Sequence, residues 1–315
     1  MIRVGAVNYL NSKPLIEGLE GFAPNIRLTL DLPSRLADQM ERGELDVGLL
    51  PVAEVFRGGY AFLPNIAIAS RGPVLSVTLF SKVPWNEIRS VALDEGSRTS
   101  AMLTKILMAN RDAELQSPLH PLLTPLGATS PSGGEVKRVS FLTSPPEGEV
   151  AAQRRVGGSS SAVRYEQLSI DAPAEDANTD AVLLIGDRAM KACLPRFPHS
   201  YDLGQLWNEL TELPMVYAVW AVRPGVKLGV AETAFGQAKR FGLSRAGIIA
   251  AREAAILRLD AGYCRRYFDT IIQYDLGLRE LAGMNRFREL AADLGLAPQG
   301  ECLDYCHRSH LVESR

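Results

Sequence analysis

A short apolar run that breaks at a polar turn and resumes as a helix is the feature that most limits how this chain can fold. Val4 to Val7 is such a run, its turn is Asn8-Tyr9-Leu10-Asn11-Ser12-Lys13-Pro14, and Leu15 to Leu19 continues as a helix-compatible stretch, with Pro14 suited to a first helical turn. Ser34 to Arg42 repeats the helical signal, with Leu36 and Met40 on one face and Gly43 as its stop, and Asp46 to Pro51 follows as a strand. Strand, helix and strand in this order make a βαβ unit, the building block of an α/β fold.

Further strands follow. Leu75, Val77 and Leu79 alternate with Ser76 and Thr78, and Val91-Ala92-Leu93 begins a strand after the break at Pro84-Trp85. Ala181 to Ile185 and Val216 to Val222 are continuous apolar runs, as expected of strands buried on both faces. A chain of 315 residues with 46% hydrophobic content exceeds the usual single core, so two lobes are expected. The first lobe is discontinuous, 1–88 with 216–315, and the second is 89–215. Between about 110 and 178 the composition turns to Pro, Gly, Ser and charge, which reads as a flexible insertion, with Arg138 to Leu142 as one short strand inside it. After Gly229 the pattern is helical nearly to the end. Ile248, Ile249, Ala255, Ile256 and Leu259, then Tyr263, Tyr267, Ile271 and Tyr274, read as packing stripes rather than ligand contacts.

Several function classes are disfavoured. A formal net charge of −2 provides no footprint for nucleic acid. No apolar run approaches the length of a membrane span, and no basic region, apolar stretch and cleavage site stand in series at the N-terminus, so the expected location is the cytoplasm. Cys193, Cys264, Cys302 and Cys306 do not form a secreted disulfide framework. Cys302, Cys306, His307 and His310 lie close together without a usual zinc spacing, so no metal is expected. No Walker loop, dinucleotide fingerprint or Ser-His-Asp logic is present, and no cofactor is expected.

Three segments carry candidate chemistry. The turn after the first strand places Tyr9, Asn11, Ser12 and Lys13 where α/β sheets bind ligands, although Asn11 or Ser12 would equally serve as a helix cap. Ser97, Arg98, Thr99 and Ser100 open an apolar helix, where exposed N–H groups, hydroxyls and the positive end of the helix dipole favour a carboxylate. Gly186 and Asp187 close the Ala181–Ile185 strand, and Asp187 reads first as a cap. Asp202 to Trp207 reads as a capped, packing helix.

In their order, Val4 to Leu15, Leu45 to Pro51, Ser97 to Ser100, Leu184 to Asp187, Asp202 to Trp207 and Tyr274 to Gly277 resemble the chorismate dehydratases of the futalosine route to menaquinone. The resemblance spans nearly the whole chain outside the insertion. It implies a two-lobed, type II periplasmic-binding-protein-like fold with a cleft between the lobes. The substrate would be chorismate, converted to 3-[(1-carboxyvinyl)oxy]benzoate and water. Asn11 is then the expected catalytic group, with Tyr9, Ser12, Lys13, Ser97, Arg98, Thr99, Ser100, Gly186 and Asp187 around the substrate. The alternatives are a non-catalytic small-anion-binding protein of the same fold and the 1,4-dihydroxy-6-naphthoate synthase of the same pathway.

Overall fold

The computed structural model describes residues 1–111 and 162–300. From the N-terminus, β1 (Ile2–Val7) ends in a 3-10 turn at Leu10–Ser12 and leads through the short helices α1 (Lys13–Ile16) and α2 (Leu19–Phe22) to β2 (Ile26–Asp31). Next come α3 (Pro33–Glu41), β3 (Val47–Pro51), α4 (Val52–Gly58) and β4 (Ala61–Ser70). A second group follows: β5 (Val77–Ser81), β6 (Ser90–Asp94), α5 (Arg98–Ala109), β7 (Arg164–Leu168), β8 (Ala181–Ile185), α6 (Gly186–Lys191), β9 (His199–Asp202) and α7 (Leu203–Thr211). The chain returns through β10 (Met215–Val222) to α8 (Ala231–Ser244), α9 (Ala246–Leu257), α10 (Ala261–Arg266), a π-helical turn at Tyr267–Ile271, the two-residue β11 (Ile272–Gln273) and α11 (Leu278–Asp293).

Two mixed sheets result. One has the order β11-β4-β10-β3-β1-β2 and the other β7-β6-β8-β5-β9. The βαβ reading of the N-terminus holds, since β1 lies between β2 and β3 and is parallel to both. β3, β6, β8 and β10 are buried at every position, which is why they read as unbroken apolar runs rather than alternating ones.

Three expectations change. Val77–Ser81, placed by sequence in the first lobe, pairs with β8 and β9 and is part of the second sheet. Its change of sheet follows a positive-φ break at Leu75. Residues 164–168, expected within a flexible insertion, form β7, in parallel register with β6 from Ser90↔Arg164 to Asp94↔Leu168. Its mostly exposed edge position explains the weak apolar signal. The stretch Arg138 to Leu142 lies outside the described residues. On α9 the buried face carries Ile249, Ala250, Glu253 and Ala254, while Ile248 and Ile256 point outward. Glu253 turns inward because Lys13 and Arg252 pair with it at 3.4 and 2.9 Å.

The C-terminal helices support the first turn of the fold. Ala234, Phe235, Ala238 and Gly242 form the buried face of α8, a row of mostly small residues on which α1 lies. A Cβ at Gly242 would come within 2.0 Å of the Pro14 carbonyl oxygen, a contact that fixed backbone cannot relieve cheaply. Gly242→Ala is therefore expected to lower stability by about 1–3 kcal/mol through overpacking, read by chemical denaturation. β7 gives a second expectation. Replacing 117–165 by a short linker removes two β7 residues and should lower the midpoint of thermal unfolding.

Candidate active site

The ends of strands from both sheets meet at the Asn8–Pro14 turn. β1 delivers the turn from the first lobe, and the parallel pair β6 and β8 delivers Asp94 and the Gly186-Asp187 corner from the second. Because the backbone at Leu10 has left the β1 ladder, its N–H needs another acceptor. It donates to Asp187 Oδ1 at 2.9 Å, across the two lobes. Asp187 therefore does not cap α6, which has no side-chain cap and whose N-cap is Ile185: it binds the turn, and burial raises its pKa against the opposing help of the Leu10 N–H and Lys191.

Tyr9 covers this contact. A Cβ at Gly186 would fall 2.8–2.9 Å from three atoms of the Tyr9 ring, and Gly186 also has φ +56. Glycine is required there twice, for the left-handed backbone and for the closeness of the ring. Burial raises the Tyr9 hydroxyl pKa, and the neighbouring Asp94 and Asp187 add to the rise.

Asn11 is held by groups whose sequence pattern points to packing. Its carbonyl accepts from the Tyr274 hydroxyl at 2.9 Å. Its side chain also faces the buried Tyr267 hydroxyl, which donates to Ser76 Oγ at 2.7 Å. Asn11 Oδ1 is buried and makes no hydrogen bond. The other turn candidates are occupied. The buried Ser12 hydroxyl donates within the turn to the carbonyls of Val7 and Tyr9. Lys13 Nζ donates to Asn8 Oδ1 at 2.7 Å and pairs with Glu253.

At α5 the four expected residues divide. Ser97 is the N-cap, its Oγ accepting from Ser100 N at 3.1 Å, and both residues are buried. Arg98 and Thr99 instead reach the first lobe. Arg98 donates to Glu54 Oε2 at 3.0 Å and to Asp38 Oδ1, and Thr99 Oγ1 accepts from Ala53 N at 3.2 Å in the first turn of α4. A cavity of about 560 Å³ opens beside the start of α5, bordered by Asp94, Ser97, Arg98, Asp38, Lys105 and Tyr165. Tyr9 and Asn11 stand outside its lining.

Asp94 and Arg188 were not among the expected residues. Asp94 is 2% exposed. Its Oδ1 accepts from Gly96 N at 2.9 Å, while Oδ2 makes no hydrogen bond and has Arg188 Nη1 at 3.6 Å. Asp202, by contrast, is fully used in structure. It caps α7 through Gly204 N and Gln205 N and also accepts from Val74 N and Leu75 N, as the capped-helix reading anticipated. Cys302, Cys306, His307 and His310 lie outside the described residues. Among the described residues no helix is long and apolar enough to cross a membrane.

Two lobes, with carbonyl ends and helix N-termini turned toward one another, define a periplasmic-binding-protein-like fold. The chain is similar to the Archaeoglobus fulgidus protein AF1704 (TM-score 0.60, 14% identity, 94% of this chain and 98% of that one). It is also similar to the periplasmic aliphatic sulphonate binding protein SsuA of Escherichia coli (TM-score 0.55, 16% identity, 98% and 91%). In sequence, a family model described as menaquinone biosynthesis matches residues 2–121 and 149–293. Chorismate dehydratase of Thermus thermophilus is 30% identical over 94% of this chain and 96% of its own length. The chain belongs to this menaquinone-biosynthesis family.

The Tyr9–Gly186 contact supplies a test of the site's construction. Gly186→Ala should destabilise the protein, and the loss should shrink by about 0.5–3 kcal/mol in a Tyr9→Ala background, the coupling expected of residues in contact. A double-mutant cycle by denaturation measures it.

Proposed function

We propose that this chain is a chorismate dehydratase, a hydro-lyase that converts chorismate to 3-[(1-carboxyvinyl)oxy]benzoate and water. The observation that carries the reading is the match in sequence over 94% of the chain to a relative of that name. It is supported by an Asn11 amide whose buried oxygen has no partner within the protein. The same reading makes it a cytoplasmic enzyme that acts on a small molecule, not on nucleic acid or a membrane.

Chemistry favours this assignment. Removing the ring hydroxyl and the proton on the neighbouring ether-bearing carbon makes the ring aromatic, so the drive lies in the substrate and the protein mainly orients it. The enolpyruvyl carboxylate of the substrate takes that proton. Asn11 serves both ends of the step: its amide N–H groups suit the carboxylate, and its free Oδ1 suits the ring hydroxyl, since only a group bearing a proton satisfies a bare acceptor. Ser97 and Ser100, at the positive end of the α5 dipole, hold the ring carboxylate. Arg98 and Thr99 contribute by keeping α5 against the first lobe, and Tyr9, Gly186 and Asp187 by closing the turn. Ser12 and Lys13 shape the turn from within.

Purified protein incubated with chorismate should yield 3-[(1-carboxyvinyl)oxy]benzoate by mass spectrometry. Chorismate that binds but is returned unchanged would favour a solute-binding protein instead, as the Escherichia coli sulphonate binding protein is by name. Among variants, Asn11→Ala should mainly lower kcat. Ser97→Ala should chiefly raise KM, by about 1.5–3 kcal/mol for a hydrogen bond to a charged group. Single-turnover rates and equilibrium binding on folded variants separate the two.

A further inference from the structure

The elimination as described leaves one need unmet. A ring hydroxyl departs poorly as hydroxide, and the groups assigned so far do not protonate it. Asn11 Oδ1 only accepts a hydrogen bond, the Ser12 hydroxyl is spent on carbonyls, and Lys13 is paired with Glu253. Burial makes the Tyr9 hydroxyl a weaker acid than usual. Two buried carboxyls face Tyr9, Asp94 and Asp187, and of these Asp187 is engaged by the Leu10 N–H.

Resting on the dehydratase reading, we propose that Asp94 is the acid that protonates the leaving hydroxyl. It ends β6 at the cleft, borders the cavity at the start of α5, and keeps one carboxyl oxygen buried and without a hydrogen bond. Arg188 Nη1 at 3.6 Å compensates its charge without a hydrogen bond, which leaves the oxygen room for a ligand hydroxyl. Tyr9 relates it to the turn: a Cβ at Gly96 would lie 3.0 Å from Asp94 Oδ1 and 3.7 Å from the Tyr9 hydroxyl, so the two groups flank the same bare stretch of backbone. Desolvation also raises the Asp94 pKa, a direction that favours holding a proton, with Glu95 adding to it and the Gly96 N–H, Arg188 and the Ile185 N–H opposing it.

The step balances. The C–H bond at the ether-bearing carbon breaks, its electron pair forms the new ring double bond, and the C–O bond of the hydroxyl breaks as Asp94 delivers its proton, releasing water. Asp94 is left as carboxylate, paired with Arg188. The proton taken up by the enolpyruvyl carboxylate then returns to Asp94, so no net proton is consumed.

The test is Asp94→Asn in the full chain, with the parent alongside. Chorismate turnover should fall about 10²- to 10⁴-fold in kcat, the range of general acid catalysis, with KM within about threefold. Thermal stability should hold or rise, because a buried carboxyl with a raised pKa favours the folded state below the ordinary carboxyl range and loses that contribution as pH rises. The variant should recover to within about tenfold of the parent on an analogue that carries fluoride in place of the ring hydroxyl, because fluoride departs as an ion with less need of a proton. In the parent, the single-turnover rate should fall on the alkaline side as Asp94 ionises, with Arg188, Glu95, Tyr9 and Asp187 as the charged and titratable groups around it. This profile decides the matter should the variant not fold, and a rate constant from about pH 4 to about pH 9 would overturn the assignment. So would a folded Asp94→Asn with parental kcat, or one equally slow on the fluoride analogue. A parent that leaves chorismate intact would instead refute the dehydratase reading itself.

Discussion

The Leu10 N–H and the Asp187 carboxylate meet across the two lobes, and the rest of the site depends on that bond. A strand that ends in a polar turn leaves backbone donors without a ladder partner. Here the second lobe supplies the acceptor. The choice has consequences in sequence: Gly186 must lack a side chain so that Tyr9 can cover the contact, and Asp187 must remain buried at some electrostatic cost. The lobes are joined again at the start of α5, where Thr99 accepts the Ala53 N–H and Arg98 pairs with Asp38 and Glu54. Both connections run from a helix or strand end in one lobe to an unpaired group in the other. Where closed lobes meet, water is excluded, and fixed dipoles act on a substrate more strongly than they would in solvent.

Much of the fold was legible because its central strands are buried on both faces. Ala181–Ile185 and Met215–Val222 announce themselves as unbroken apolar runs, and the Leu36 and Met40 spacing locates α3. What eluded the sequence had one cause in common, namely a partner distant along the chain. β7 has little apolar signal because it lies at a sheet edge and is specified by its pairing with β6. The inward face of α9 includes Glu253, a charged residue outside the apolar stripe read from sequence, because Lys13 from the first turn of the chain pairs with it. β5 changes sheet at Leu75, a residue with no turn-forming character of its own.

The candidate site divides the same way. The turn from Tyr9 to Lys13 and the hydroxyl cluster at α5 were visible as local patterns, and the structure does bring both to the lobe junction. Their individual roles were not visible. Arg98 and Thr99 look like anion ligands in sequence, yet their side chains are engaged with the other lobe. Tyr267 and Tyr274 look like a packing stripe, yet their hydroxyls brace Ser76 and Asn11. Asp94 sits in plain view within the Leu93–Ser100 segment, but only its burial and its unsatisfied oxygen distinguish it from an ordinary cap. A residue's partners, more than its type, decide between structure and chemistry here.

The account stands on one claim, that this lobe junction removes water from chorismate across the bond between the hydroxyl-bearing and the ether-bearing ring carbons. Chorismate carrying deuterium on the ether-bearing ring carbon tests it directly. The account predicts an aromatic product that has lost the deuterium, formed with a primary isotope effect on the single-turnover rate and with Asn11→Ala slowing that same step. An aromatic product that retains the label, or labelled chorismate recovered intact, would contradict it.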